Sequence, residues 1–138
     1  MLKTFDDVIA HLEGINDPDN ERLEYLLHCV GDLSRTWYET ILAEVIKTGC
    51  KRVVDIGSNV NQYGYLFANA GIEYIGIDRD LDGLLPVETD MIRSVSADYY
   101  DVREQFANDV VISCLCVGYM IPETDVLAAR LITNKTVS

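Results

Sequence analysis

Apolar residues recur along this chain with two different textures, and the change falls near residue 50. Before it, Phe5, Val8, Ile9 and Leu12 lie on one helical face. Leu23, Leu26, Leu27, Val30, Leu33, Trp37, Ile41, Val45 and Ile46 continue the stripe at spacings of three and four. Thr4, with Asp7 three residues on, predicts a capped start for the first helix. Asn-Asp-Pro-Asp-Asn at 16–20 breaks it, and Asp19 or Asn20 is placed to cap a second helix from Glu21. Gly31 is a point where that helix splits, with Ser34 as a fresh cap, and Thr48-Gly49 ends it. Residues 1–49 therefore read as a helical segment packed on whatever follows.

After Gly49 come short apolar runs between turns. Lys51–Gly57 reads as a buried strand entering a loop, Tyr63–Ala70 as a helix stopped by Gly71, and Ile72–Asp78 as a second strand. Residues 79–90 are acidic and interrupted by Gly83 and Pro86, so any helix there is short. Met91–Ala97 reads as a third strand, Asp101–Ala107 as a short helix, and Asp109–Cys116 as a fourth, almost wholly apolar strand. Pro122–Leu131 reads as a last helix, and Thr133–Ser138 as the start of a fifth strand. Apolar strands alternating with helices predict an α/β fold: a parallel sheet of about four to five strands flanked by helices, preceded by the N-terminal helical segment. A length of 138 residues suits one domain overall, with residues 50–138 as its α/β core.

Charge narrows the partners. Eleven Lys and Arg stand against 23 Asp and Glu, a net charge of −12, which argues against nucleic acid and against anionic membranes as partners. No apolar run reaches the length of a membrane span, and the N-terminus lacks the profile of a signal peptide, so the expectation is a cytoplasmic protein. Cys29, Cys50, Cys114 and Cys116 do not form zinc-type pairs, and His11 and His28 lie in helices, so no metal site is expected.

In an open parallel sheet, ligands bind beyond the carboxyl ends of the strands. The residues in that position are VVDIGSNVNQYG at 53–64, YIGIDRD at 74–80, SADYYD at 96–101 and DVVISCLC at 109–116. Together they resemble the class I S-adenosylmethionine-dependent methyltransferases, a Rossmann-like family. The family's first loop usually reads acid-x-Gly-x-Gly-x-Gly. Asp55 and Gly57 match, whereas Asn59 and Asn61 stand where the second and third glycines belong. Asparagine is among the residues that best tolerate positive φ, so the turn is expected to survive the replacement.

The resemblance implies S-adenosylmethionine as cofactor. It implies that Gly57, with Ser58 and Asn59, lets the backbone pass the methionine part, and that Asp55 orders the loop or meets the cofactor's amino group. Asp78 would accept hydrogen bonds from the ribose hydroxyls, Asp98 from the adenine amino group, and Tyr99 would pack on the base. Ser113 to Cys116 would line the floor beside the methyl donor. Each carboxylate has a plainer reading as well: Asp55 as a turn cap, Asp78 as part of a solvated acidic run, Asp98 as a helix N-cap.

Other nucleotide motifs fit less well. Gly57 and Gly64 have no glycine between them, which disfavours a dinucleotide loop, and there is no Walker loop or Gly-x-Ser-x-Gly elbow. Ser113-Cys114-Leu115-Cys116 departs from the Asn/Asp-Pro-Pro-Tyr/Phe of amino-methylating DNA enzymes, leaving a small-molecule or protein acceptor. Cys114 and Cys116 read as small apolar core residues rather than nucleophiles. The family's sheet has seven strands, so this shorter chain is expected to cover its sheet edge with its N-terminal helices or by forming a homodimer. A methyltransferase-like scaffold that binds a partner without performing chemistry is the alternative.

Overall fold

A computed structural model describes residues 2–29, 31–79, 81–114 and 131–133. Helix α1 spans Phe5–Ile15 and opens on the predicted capping box: the Asp7 amide donates to Thr4 Oγ1, and the Thr4 amide to Asp7 Oδ2. Helix α2, Glu21–Glu24, is capped by Asn20 and runs into a π-helical turn at Tyr25–Cys29. Helix α3 spans Gly31–Lys47 and takes in Ser34, which is therefore an interior residue and not a fresh cap.

The α/β region has strands β1 (Arg52–Ile56), β2 (Glu73–Asp78), β3 (Ile92–Ser96), β4 (Val110–Ser113) and β5 (Leu131–Thr133). Helix α4, Gly64–Asn69, joins β1 to β2, and α5, Tyr99–Val102, followed by a 3-10 turn to Phe106, joins β3 to β4. Residues 79 and 81–91 contain no helix. The sheet order is β3-β2-β1-β4-β5. Strands β1 to β4 are all parallel, giving the expected Rossmann-like α/β sheet. The fifth strand differs from expectation: it begins at Leu131, two residues early, and pairs antiparallel with β4. The remainder of the helix predicted at 122–131 lies outside the described residues.

The sheet is buried on both faces. On one, Val53 and Tyr74 join α1, α2, α3 and α4 through Val8, Leu12, Leu23, Ile41, Val45 and Phe67 in one continuous core. The N-terminal helices thus share the sheet's core instead of forming a unit of their own. On the other face, Val54, Ile56, Ile75, Ile77 and Val111 pack beneath Phe106. Arg52 grips Asp109 through two hydrogen bonds, of 3.0 and 2.7 Å, and so fixes the entry of β1 against that of β4.

Gly76 permits the close approach on which the β1–α4 loop depends. It lies opposite Asp55 in the register of β1 and β2. A Cβ at Gly76 would stand 1.8 Å from Asn61 Oδ1 and 2.4 Å from Ser58 Oγ. The loop therefore lies directly on the β2 backbone, in contact that only a glycine allows.

Candidate functional site

The chain leaves β1, builds β2 and β3 to one side, then returns to place β4 on the other. This makes β1/β4 the switch point, where a doubly wound sheet opens a crevice at its carboxyl edge. A cavity of about 590 Å³ lies at this edge, within the range of small-molecule sites. It is lined by Gly57 and Asn59 after β1, Ile77 and Asp78 at the end of β2, Asp98 and Tyr99 after β3, and Cys114 after β4. Arg22, Tyr25, Leu26 and Tyr38 close it from the helical side. The π-helical turn that presents Tyr25 and Leu26 is a distortion often found at functional sites.

The loop after β1 keeps the shape that glycines would give it. Gly57, Asn59 and Asn61 all have positive φ, of 76°, 53° and 59°. The two asparagines behave differently. The Asn61 side chain is buried away from the cavity and donates to the Val87 carbonyl at 3.1 Å. Asn59 stays on the cavity wall, where its Oδ1 accepts from Arg22 at 3.4 Å.

Five of the eight residues expected to touch a cofactor come together on the cavity: Gly57, Asn59, Asp78, Asp98 and Tyr99. Asp78 Oδ2 accepts from the Asn59 amide at 2.9 Å, so this carboxylate also holds the loop in place. Asp98 does cap a helix, accepting from the Tyr100 amide at 2.9 Å, and it faces Arg79 at 3.7 Å while lining the cavity. The other three do not line it. Ser58 is buried over Gly76. Ser113 is buried, and its hydroxyl donates to the Ile56 carbonyl at 3.4 Å. Asp55 lies behind the wall on the helical face of the sheet.

Asp55 is wholly buried. Its Oδ2 accepts from the hydroxyls of Tyr38, at 2.7 Å, and Tyr74. Its Oδ1 has no hydrogen-bond partner. Burial pushes its carboxyl up to about 7; the Tyr74 and Tyr38 hydroxyls oppose that rise, and the Asp78 charge adds to it. Burial and the Asp55 charge push the Cys114 thiol up to about 12, so Cys114 is a neutral thiol on the wall and not a nucleophile. Tyr38 stacks on Tyr63 with ring centroids 4.5 Å apart, and both line the cavity.

Sequence reasoning passed over Tyr38, Gln62 and Arg22. Tyr38 and Arg22 sit on helices far from the loop in sequence, and only packing brings them to it. Gln62 stands inside the quoted loop among Ser58, Asn59 and Asn61, where its polarity does not set it apart in the sequence. Among the described residues no cluster of His, Cys, Asp and Glu is arranged to hold a metal, and no helix is long and apolar enough to cross a membrane. No protein-family model matches the chain, and no curated protein or solved structure matches it significantly.

Proposed function

We propose that the cavity binds S-adenosylmethionine and that the protein is methyltransferase-like, serving a small-molecule or protein acceptor. The observation that carries this reading is the convergence of Gly57, Asp78, Asp98 and Tyr99, from three successive strand ends, on one cavity. Two carboxylates suit the hydroxyls and amino group of an adenosine, and the aromatic ring suits its base. The loop's positive-φ turn brings backbone close to the ligand, which is what the glycines of a nucleotide loop achieve. Methyl transfer needs chiefly that the acceptor be held in line with the methyl group, so such a site asks little more of the protein.

A second reading, a scaffold that binds a partner without turnover, is favoured by the Asn59 side chain. It occupies cavity wall where a glycine would leave space, and it is tied to Arg22. Calorimetric titration with S-adenosylmethionine and S-adenosylhomocysteine separates the two. Binding in the micromolar range or weaker is expected. Asp98→Ala, which removes a charge-assisted hydrogen bond of roughly 1.5–3 kcal/mol, should weaken it about tenfold or more. Absence of heat at millimolar ligand refutes the cofactor assignment and leaves the scaffold.

A further inference from the structure

The charges on the cavity are divided between its two sides. Asp78, Arg79 and Asp98 stand at the strand ends, where Arg79 faces Asp98 at 3.7 Å. The helical side contributes Arg22, Tyr25, Leu26, Ser34 and Tyr38, and of these only Arg22 is charged. Spacings of three and four put Arg22, Tyr25 and Leu26 on one side of their helical segment. The Arg22 guanidinium is held by two neighbours. Its Nε donates to Asp82 Oδ2 at 2.9 Å, and Asp82 does not line the cavity. Its Nη2 donates to Asn59 Oδ1 at 3.4 Å, beside the loop after β1. The hydrogens of Nη1 are used by neither contact.

Asn59 belongs to the loop that the cofactor reading sets along the amino-acid end of the ligand. Asp55, the acid expected at that same end, does not line the cavity; the Tyr38 and Tyr74 hydroxyls hold it in the layer behind. The charged group that the cavity offers at this end is therefore a cation. Resting on the cofactor reading above, we infer that Arg22 is the carboxylate-binding residue of the cavity, and that what binds there carries a carboxylate at its helical end, supplied by the cofactor's amino-acid group or by an acidic acceptor. A planar guanidinium matches the two oxygens of a carboxylate, and Asp82 acts as a positioning residue that sets its plane. A single negative charge suits the site better than two. Asp78 and Asp98 share the cavity and Asp82 touches Arg22, so a phosphate dianion would meet more repulsion than a carboxylate does. Arg79 is the other cation on the cavity, but it stands beside Asp98 and its side chain is 74% exposed, against 45% for Arg22.

The test is a cycle of two ligands and two proteins. S-adenosylhomocysteine and its decarboxylated analogue, which keeps the amine, are titrated calorimetrically into the full chain and into Arg22→Ala. The Arg22–Asp82 pair is exposed enough that its loss should leave the fold intact, which a thermal melt checks. If the cofactor supplies the carboxylate, the parent binds S-adenosylhomocysteine about tenfold or more tighter than the analogue. That difference disappears in Arg22→Ala, returns in part in Arg22→Lys, and survives in Arg79→Ala. If the acceptor supplies it, the two adenosyl ligands bind alike, and benzoate binds the S-adenosylhomocysteine-saturated parent in preference to benzyl alcohol, a preference that Arg22→Ala abolishes. Either result supports the assignment. It is overturned if Arg22→Ala weakens both adenosyl ligands equally and leaves benzoate unchanged, if the preference survives Arg22→Ala and vanishes in Arg79→Ala, or if the parent prefers no carboxylate. If neither adenosyl ligand binds, the cofactor reading fails instead, and benzoate against benzyl alcohol on the ligand-free parent and Arg22→Ala decides the Arg22 assignment by the same criterion.

Discussion

Replacing Asp55 by Asn should make the protein more stable at neutral and alkaline pH while changing little in acid. Asn keeps the size of the carboxylic acid and an oxygen able to accept from Tyr38 and Tyr74, but it cannot ionise. In the folded protein the Asp55 carboxyl is pushed up to about 7, against 3.8 ordinarily. Between these values the folded state binds a proton that the unfolded state has released, so stability falls as pH rises through the window. Above about pH 7 the carboxylate is charged and buried, and the penalty is complete. About three pH units at roughly 1.4 kcal/mol each set a ceiling of about 4 kcal/mol. For a domain of this size that corresponds to a melting-temperature gap of roughly 10 °C. Thermal and urea unfolding of parent and Asp55→Asn at intervals from about pH 4.5 to about pH 8.5 would measure it. The remaining acidic groups are common to both proteins and cancel in the difference. The two stability curves should lie close at the acid end and diverge through neutrality, with the parent below. A constant offset across the range, or a parent that gains on the variant as pH rises, would refute the reasoning, because it would mean that Asp55 ionises in the fold without cost.

Three further outcomes follow from the same contacts. Gly76→Ala should cost about 3 kcal/mol or more in urea unfolding, since its Cβ would meet Asn61 and Ser58 of a loop that cannot lift away; a cost under about 1 kcal/mol would show that the loop is not seated on β2. Asn61→Gly should destabilise by about 1–2 kcal/mol, because it leaves the Val87 carbonyl without its buried donor, whereas Asn59→Gly should stay within about 0.5 kcal/mol, the relief of positive φ offsetting the long Arg22 contact; equal effects would be the contrary result. Asp109→Ala should cost roughly 1–2 kcal/mol, discounted from a fully buried pair because Arg52 remains about a third exposed, and the loss should shrink in high salt.

The alternation of β1 explains why Asp55 was legible as a site residue but not as the group it is. Val54 and Ile56 face one side of the sheet and Val53 and Asp55 the other, a pattern any reader of the sequence can count. That Asp55 would meet Tyr38, 17 residues before it, and Tyr74, 19 residues after it, depends on α3 crossing that face and on β2 pairing in register. Asp98 illustrates the reverse. Its position before Tyr99-Tyr100 is a local cap signal, and the cap forms; only the sheet places the same carboxylate on the cavity.

Local periodicity, caps and breaks by themselves determined the helical first third, three strands at nearly their observed bounds and the start of the fourth, and the carboxyl-edge positions of Gly57, Asp78 and Asp98. These are properties of neighbours in the chain: side-chain period, a cap within three residues, a loop that needs positive φ. The tertiary structure decided what lies between elements distant in sequence. It turned Ser58 and Asn61 onto Gly76 and away from the cavity, because the β2 backbone is bare there. It brought Arg22, Tyr38 and Gln62 to the wall, and it set the short fifth strand antiparallel against β4. No local pattern encodes these results. They follow from the way two buried sheet faces are covered, and that covering is chosen by the whole core at once.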